Sequence, residues 1–94
     1  MPTYILLSTL TAQGVQTLKS NPARLREVNS DVEELGARVV HQWATLGPYD
    51  FVNVVEAPDA QTVARVSVAL GSRGSAKLQT LTALTIDEFM TALD

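Results

Sequence analysis

Two rhythms of apolar residues run along this chain, and their alternation sets out its elements. Thr3–Leu10 is a short apolar run bounded by Pro2 and by Thr11-Ala12-Gln13-Gly14, and it predicts a first strand. Val15 and Leu18, three apart, predict a short helical turn over Gly14–Lys19. Ser20-Asn21-Pro22 predicts a fresh helix start, with Asn21 capping free amides and Pro22 in the first helical position, where its missing N–H is not needed. Leu25, Val28, Val32 and Leu35 then recur at helical spacing up to a stop at Gly36. Arg38–Leu46 and Phe51–Glu56 predict the second and third strands. Gly47-Pro48-Tyr49-Asp50 joins them, with Pro48 suited to the second position of a type I turn. The link is short enough for an antiparallel hairpin. Ala57-Pro58-Asp59 ends the third strand, and Asp59 is placed to cap a helix running to about Leu70 along the stripe Val63, Val66 and Leu70. Gly71–Gly74 predicts a loop and Ser75–Leu84 a fourth strand. Thr85 and Glu88 stand at capping-box spacing ahead of a last helix, Ile86–Leu93.

The order strand, helix, strand, strand, helix, strand, helix, joined by right-handed crossovers, predicts an α+β fold of the ferredoxin-like βαββαβ(α) type. Its four-stranded antiparallel sheet would run 4-1-3-2 with the helices on one face. Strands one and three are then central. Their segments Ile5-Leu6-Leu7 and Val52, Val54, Val55 are apolar on both faces, whereas Arg38, His41, Gln42 and Lys77, Gln79, Thr80, Thr82 make the outer strands mixed. Two helices cover only one face of such a sheet, and a solvated second face would carry polar residues in alternation. Several valines and leucines left in water would each forgo about 1.5–3 kcal/mol. The expected remedy is a second copy packed sheet to sheet, making the protein a homo-oligomer. The alternative is that Ile86, Phe89, Met90 and Leu93 fold the last helix across the open face of their own chain.

Composition narrows the function classes. Ninety-four residues make one domain, spanning 1–94, and 46% hydrophobic with 18% charged residues describe an ordered one. A net charge of −3, with seven basic residues spread along the chain, provides no stripe for nucleic acid. Without cysteine there is no disulfide, thiol catalyst or thiolate metal ligand. The start Met1-Pro2-Thr3-Tyr4-Ile5 lacks a basic leader, and no apolar run is long enough for a bilayer, so a cytoplasmic protein with no membrane or nucleic-acid partner is expected.

Gly47-x-Tyr49-Asp50 between two strands resembles the signature turn of the GYD domain family. The resemblance extends through Met1-Pro2-Thr3-Tyr4, Thr11-x-Gln13-Gly14-Val15, Pro22-x-Arg24-Leu25 and Val55-Glu56-Ala57-Pro58-Asp59, and it runs to the final helix. It implies a place in the dimeric α/β-barrel superfamily, where two ferredoxin-like sheets pack face to face. It implies no biochemical activity.

The candidate chemistry is sparse. His41 is the only histidine, so no His pair can hold a metal, and neither a metal nor a cofactor is expected. Its strand position would place it on one face with Val39, Trp43 and Thr45. There it could serve as acid, base or haem ligand at a dimer interface, or as a plain hydrogen-bonded edge residue. Tyr49 and Asp50 are explained by the turn: the carboxylate accepts local amides while the phenol keeps a wet hydroxyl. Asn53 and Gln79 are polar positions on strands, where a buried amide needs partners. Gly71–Ser75 has groups for an anion, yet it follows a helix instead of starting one. Glu33-Glu34 and Arg24/Arg26 read as a solvated helix face, and no nucleophile elbow accompanies the serines. The leading expectation is a small-ligand-binding module with a pocket between sheet and helices or at the dimer interface, by analogy with the sensing domains of leucine-responsive regulators. One alternative is a cofactor-independent oxygenase or isomerase built on His41 with Trp43, Tyr49 and Asn53; another is a structural partner subunit.

Overall fold

β1 (Thr3–Leu10) and β3 (Phe51–Glu56), the strands apolar on both faces, lie side by side at the centre of one sheet in the computed structural model, which describes Met1–Asp94. β2 (Arg38–Ala44) flanks β3 and β4 (Ala76–Ala83) flanks β1, giving the antiparallel order β2-β3-β1-β4, which is the expected order read from the other edge. Tyr4 pairs with Val55, Leu6 with Asn53 and Ser8 with Phe51. Because side chains alternate across a strand, Tyr4, Leu6 and Ser8 share one face with Val55, Asn53 and Phe51, and Ile5 and Leu7 share the other with Val54 and Val52.

The first face carries the core. α2 (Arg24–Glu34) contributes Val32, and α3 (Ala60–Gly71) contributes Val63 and Val66. These close on Tyr4, Leu6, Val55, Ala37 and Ala57. Val66 and Val55 are almost fully enclosed, and Leu6 keeps only 2% of its surface. The second face has no layer over it.

The first helical region differs from the sequence expectation. α1 (Ala12–Ser20) is a full helix, not a short turn. Thr11 caps it, its hydroxyl accepting from the Gly14 amide at 3.1 Å. Glycine lowers helix propensity by about 1 kcal/mol, which hides α1 from a propensity argument. Its value here is steric: Gly14 packs against the backbone at Ser75, at the entry to β4. Asn21 closes α1, its backbone N–H donating to the Thr17 carbonyl, and its side chain does not cap α2. α2 begins at Arg24 behind Ala23, with no side-chain cap.

The other two helix starts form as their sequences imply. Asp59 Oδ1 accepts from the Thr62 amide at 2.8 Å and from its hydroxyl at 2.7 Å. Thr85 and Glu88 form the capping box at the head of α4 (Ile86–Ala92). Both carboxyls are held below the ordinary carboxylate value. For Asp59 the hydrogen bond from the Thr62 side chain is the chief cause and the Thr62 amide the next; for Glu88 the Thr85 amide comes first. A depressed folded value means that the unfolded chain takes up the proton first as pH falls. The stabilisation is whole above the ordinary value, 3.8 for Asp59, and is lost as pH drops through the folded value. In an acid titration followed by circular dichroism, Asp59→Asn should flatten the loss of stability below about pH 4 relative to the unsubstituted protein. An unchanged acid limb would show that this cap is idle.

α4 does not seal the open face. Ile86, Phe89, Met90 and Leu93 stay between half and three-quarters exposed, and no residue of α4 is buried. The alternative in which the last helix covers its own sheet is thus not the arrangement adopted. No helix is long and apolar enough to cross a membrane.

Candidate functional site

The uncovered face of the sheet is the first candidate. Ile5 and Leu7 of β1 lie beside Val54 and Val52 of β3. Leu81 of β4, opposite Ile5, and Trp43 of β2, opposite Val52, widen the patch to both edges. Trp43 leaves 53% of its surface in water and Leu81 leaves 47%. His41 stacks on Trp43, ring centres 5.2 Å apart and planes within 14°.

β2 reaches this arrangement through a bulge that the sequence does not announce. Val39 pairs with Val55, but His41 pairs with Val54, so Val40 is an extra residue. Val39 consequently packs against the core, and it does not share a face with His41 and Trp43 as strict alternation would require. Thr45 lies beyond the end of β2, where its hydroxyl donates to the Tyr49 carbonyl at 2.7 Å. The bulge turns His41 and Trp43 onto the open face together.

The Gly47–Asp50 segment is tied into β1 more closely than a free hairpin turn would be. Asp50 N donates to the Ser8 carbonyl at 2.8 Å, so the bond that would close a type I turn back to Gly47 is not made. The loop closes instead between the Thr45 amide and the Asp50 carbonyl, 2.8 Å apart. Gly47 sits at φ 124°, a conformation that favours glycine. The Asp50 carboxylate accepts from the Leu10 amide at 2.7 Å, a partner forty residues away and not a local amide. Asp50→Ala should strand that amide and cost about 2 kcal/mol in urea unfolding. A loss below about 0.5 kcal/mol would mean that water replaces the carboxylate without penalty. Tyr49 is engaged too. Its hydroxyl reaches across β1 to β4 and donates to Gln79 Oε1 at 2.9 Å.

The sheet therefore divides the residues singled out from sequence. His41, Trp43 and Gln79 belong to the open face, and Tyr49 joins them through Gln79. Asn53 points the other way, into a cavity of about 110 Å³ between the sheet and α1, α2 and α3. The oxygenase or isomerase constellation of His41 with Asn53 is not brought together. No group of three or more His, Cys, Asp or Glu side chains converges in a way that could hold a metal.

The cavity was legible only in fragments. Ser8 and Asn53 are the polar residues at core-facing positions of the central strands, and that pairing was the available signal. Gln42, the cross-strand partner of Asn53, also lines it. Gln42 and Asn29 of α2 exchange two amide hydrogen bonds, at 2.9 and 3.2 Å. The Gly71–Ser75 loop contributes Arg73 and Ser75 to the lining. Arg73 Nη1 stands 2.9 Å from Asp31 Oδ2, in ion-pair contact without hydrogen-bond alignment. The Gly74 carbonyl accepts from the Thr11 hydroxyl at 2.7 Å.

A four-stranded antiparallel sheet, layered with helices on one side and uncovered on the other, defines an α+β domain. The GYD domain model matches residues 4–93, and the chain belongs to the GYD family. It is 56% identical over 94 residues to a "Glutamine synthetase and cystathionine beta-lyase binding protein" of Thermus thermophilus, covering 99% of each chain. It also shares its fold with the crystal structure of TTHA0845 from the same species, at a TM-score of 0.58 and 23% identity over 90% of this chain and 95% of that one.

Proposed function

We propose that this chain is a homo-oligomeric interaction protein that binds metabolic enzymes in the cytoplasm. The observation that carries the reading is the uncovered sheet face with Trp43 and Leu81 at its flanks. A sheet of four strands, from six to eight residues long, presents roughly 23 by 19 Å, about 440 Å² in plane. The relief of its side chains raises the accessible area toward the ~800 Å² per partner of a standard interface. A second copy fits this face because a two-fold axis sets the same apolar patch against itself, with no new chemistry required. Two sheets packed in this way make the dimeric barrel that the family resemblance implies.

Enzyme binding is supported by the relative whose name records it, which matches this chain end to end. Glutamine synthetase and cystathionine β-lyase are accordingly the first partners to test. Co-elution of this protein with purified glutamine synthetase or cystathionine β-lyase in size-exclusion chromatography, at micromolar concentrations, is the expected result. Failure to co-elute with either, confirmed by calorimetry, would remove both as partners.

A second reading, small-ligand binding, is favoured by one separate observation. Asn53 lines the cavity under the helices, and its Oδ1 is a buried oxygen with no partner. In this reading the interaction protein also responds to a small molecule.

A further inference from the structure

We propose that the cavity between the sheet and α1–α3 binds a small neutral molecule bearing a carboxamide, and that Asn53 is the residue that recognises it. This inference rests on the ligand-binding reading and is independent of enzyme binding.

Half of the residues that line the cavity are hydrophobic, among them Leu18, Leu25 and Val28 from the helices and Phe51 and Leu78 from the sheet. Its volume of about 110 Å³ has room for several waters or one small organic molecule. Asn53 lines this space, and its Oδ1 is shielded from solvent and without a hydrogen bond. Buried acceptors are rarely left bare, because each costs about 1–3 kcal/mol in that state. A fold that keeps an amide here, where a leucine would fill the space, carries a cost that a bound donor would offset.

The surroundings narrow what that donor can be. No aspartate or glutamate lines the cavity, whereas Arg24 and Arg73 do, so a cation finds no counter-charge. Both guanidiniums already have their charge balanced, Arg24 by a hydrogen-bonded Glu27 at 2.8 Å and Arg73 by Asp31 at 2.9 Å, although Arg73 Nη1 makes no hydrogen bond, so a ligand anion would have to displace a carboxylate. A neutral donor remains. An asparagine amide presents a donor and an acceptor side by side, and a second carboxamide matches both at once. The wall of the cavity already uses that pairing: Gln42, directly across the strands from Asn53, exchanges two such bonds with Asn29. A ligand carboxamide on Asn53 would repeat the motif one strand further in.

The test is an NMR titration of the full-length, 15N-labelled protein with propionamide, 1-propanol and sodium propionate. Propionamide should shift the side-chain amide signals of Asn53 and Gln42 saturably, at least tenfold more tightly than 1-propanol. Asn53→Leu should abolish the binding while matching or raising the melting temperature, because it removes an unsatisfied amide. A merely structural asparagine would give the opposite, a lower melting temperature. Asn53→Asp keeps the shape and loses the donor, and it should weaken propionamide at least tenfold, which guards against misfolding of the leucine variant. Propionamide shifts that survive both substitutions, or 1-propanol bound as tightly as propionamide, would overturn the carboxamide assignment while leaving a ligand cavity in place. No shift with any of the three probes would overturn both.

Discussion

Gly14→Ala should destabilise this protein more than any other one-methyl change, by roughly 3 kcal/mol or more. A Cβ at position 14 would overlap the Ser75 carbonyl oxygen, lie 3.0 Å from the Ser75 carbonyl carbon and stand 3.1 Å from Leu10 Cδ2. The obstacle is backbone, so no side-chain rotation relieves it. Ser75 is held in place as well, because its carbonyl accepts the Thr11 amide at 3.0 Å just ahead of α1. Alanine would favour the helix by about 1 kcal/mol, which is too little to offset the collision. Either α1 lifts from the sheet or β4 shifts along β1. A domain of this size has about 5–15 kcal/mol in all, and each kcal/mol corresponds to about 4–8 °C. A fall in melting temperature of at least about 12 °C is expected in a calorimetric scan. A variant melting within a few degrees of the parent would mean that α1 is not seated on the start of β4.

Trp43→Asp should convert the proposed dimer to a monomer while leaving the fold intact. Trp43 is half exposed within its own chain, so its loss removes little of the core. At a sheet-to-sheet interface the same side chain would be a desolvated aromatic anchor, the kind whose truncation costs about 2 kcal/mol or more. That corresponds to about 30-fold in dissociation constant, and an unpaired aspartate buried in the interface would add a desolvation cost. The expected result is a monomeric elution volume with an unchanged circular dichroism spectrum. A variant that still elutes as a dimer would move the interface off this face. A variant that unfolds would show that the tryptophan serves its own chain.

The middle of the fold was legible because burial on two faces leaves a plain signature. Only the central strands need valines and leucines at consecutive positions, and Ile5-Leu6-Leu7 and Val52, Val54, Val55 supplied them. Asp59 and the Thr85–Glu88 pair were legible because capping is local chemistry. What escaped was set by contacts distant in sequence. Gly14 reads as a helix breaker until Ser75 is seen against it. Nothing near Val40 marks the bulge, which exists because β2 has one residue more than β3 can pair. Asp50 and Tyr49 lie in the segment that joins β2 to β3, but their partners Leu10 and Gln79 lie on other strands and leave no trace in local spacing. The same holds for the candidate sites. The amphipathic pattern of α4 shows an apolar face without saying what it meets, and the sequence could not tell that His41 and Asn53 look out from opposite sides of the sheet.

The central claim is that the bare face of the sheet is an interface between two copies. Sedimentation equilibrium of the purified protein at micromolar concentration tests it most directly. The mass should be twice that of the 94-residue chain, or a higher even multiple. A single-chain mass persisting up to the highest soluble concentration would contradict it, leaving Trp43, Leu81 and the strands between them without a second copy.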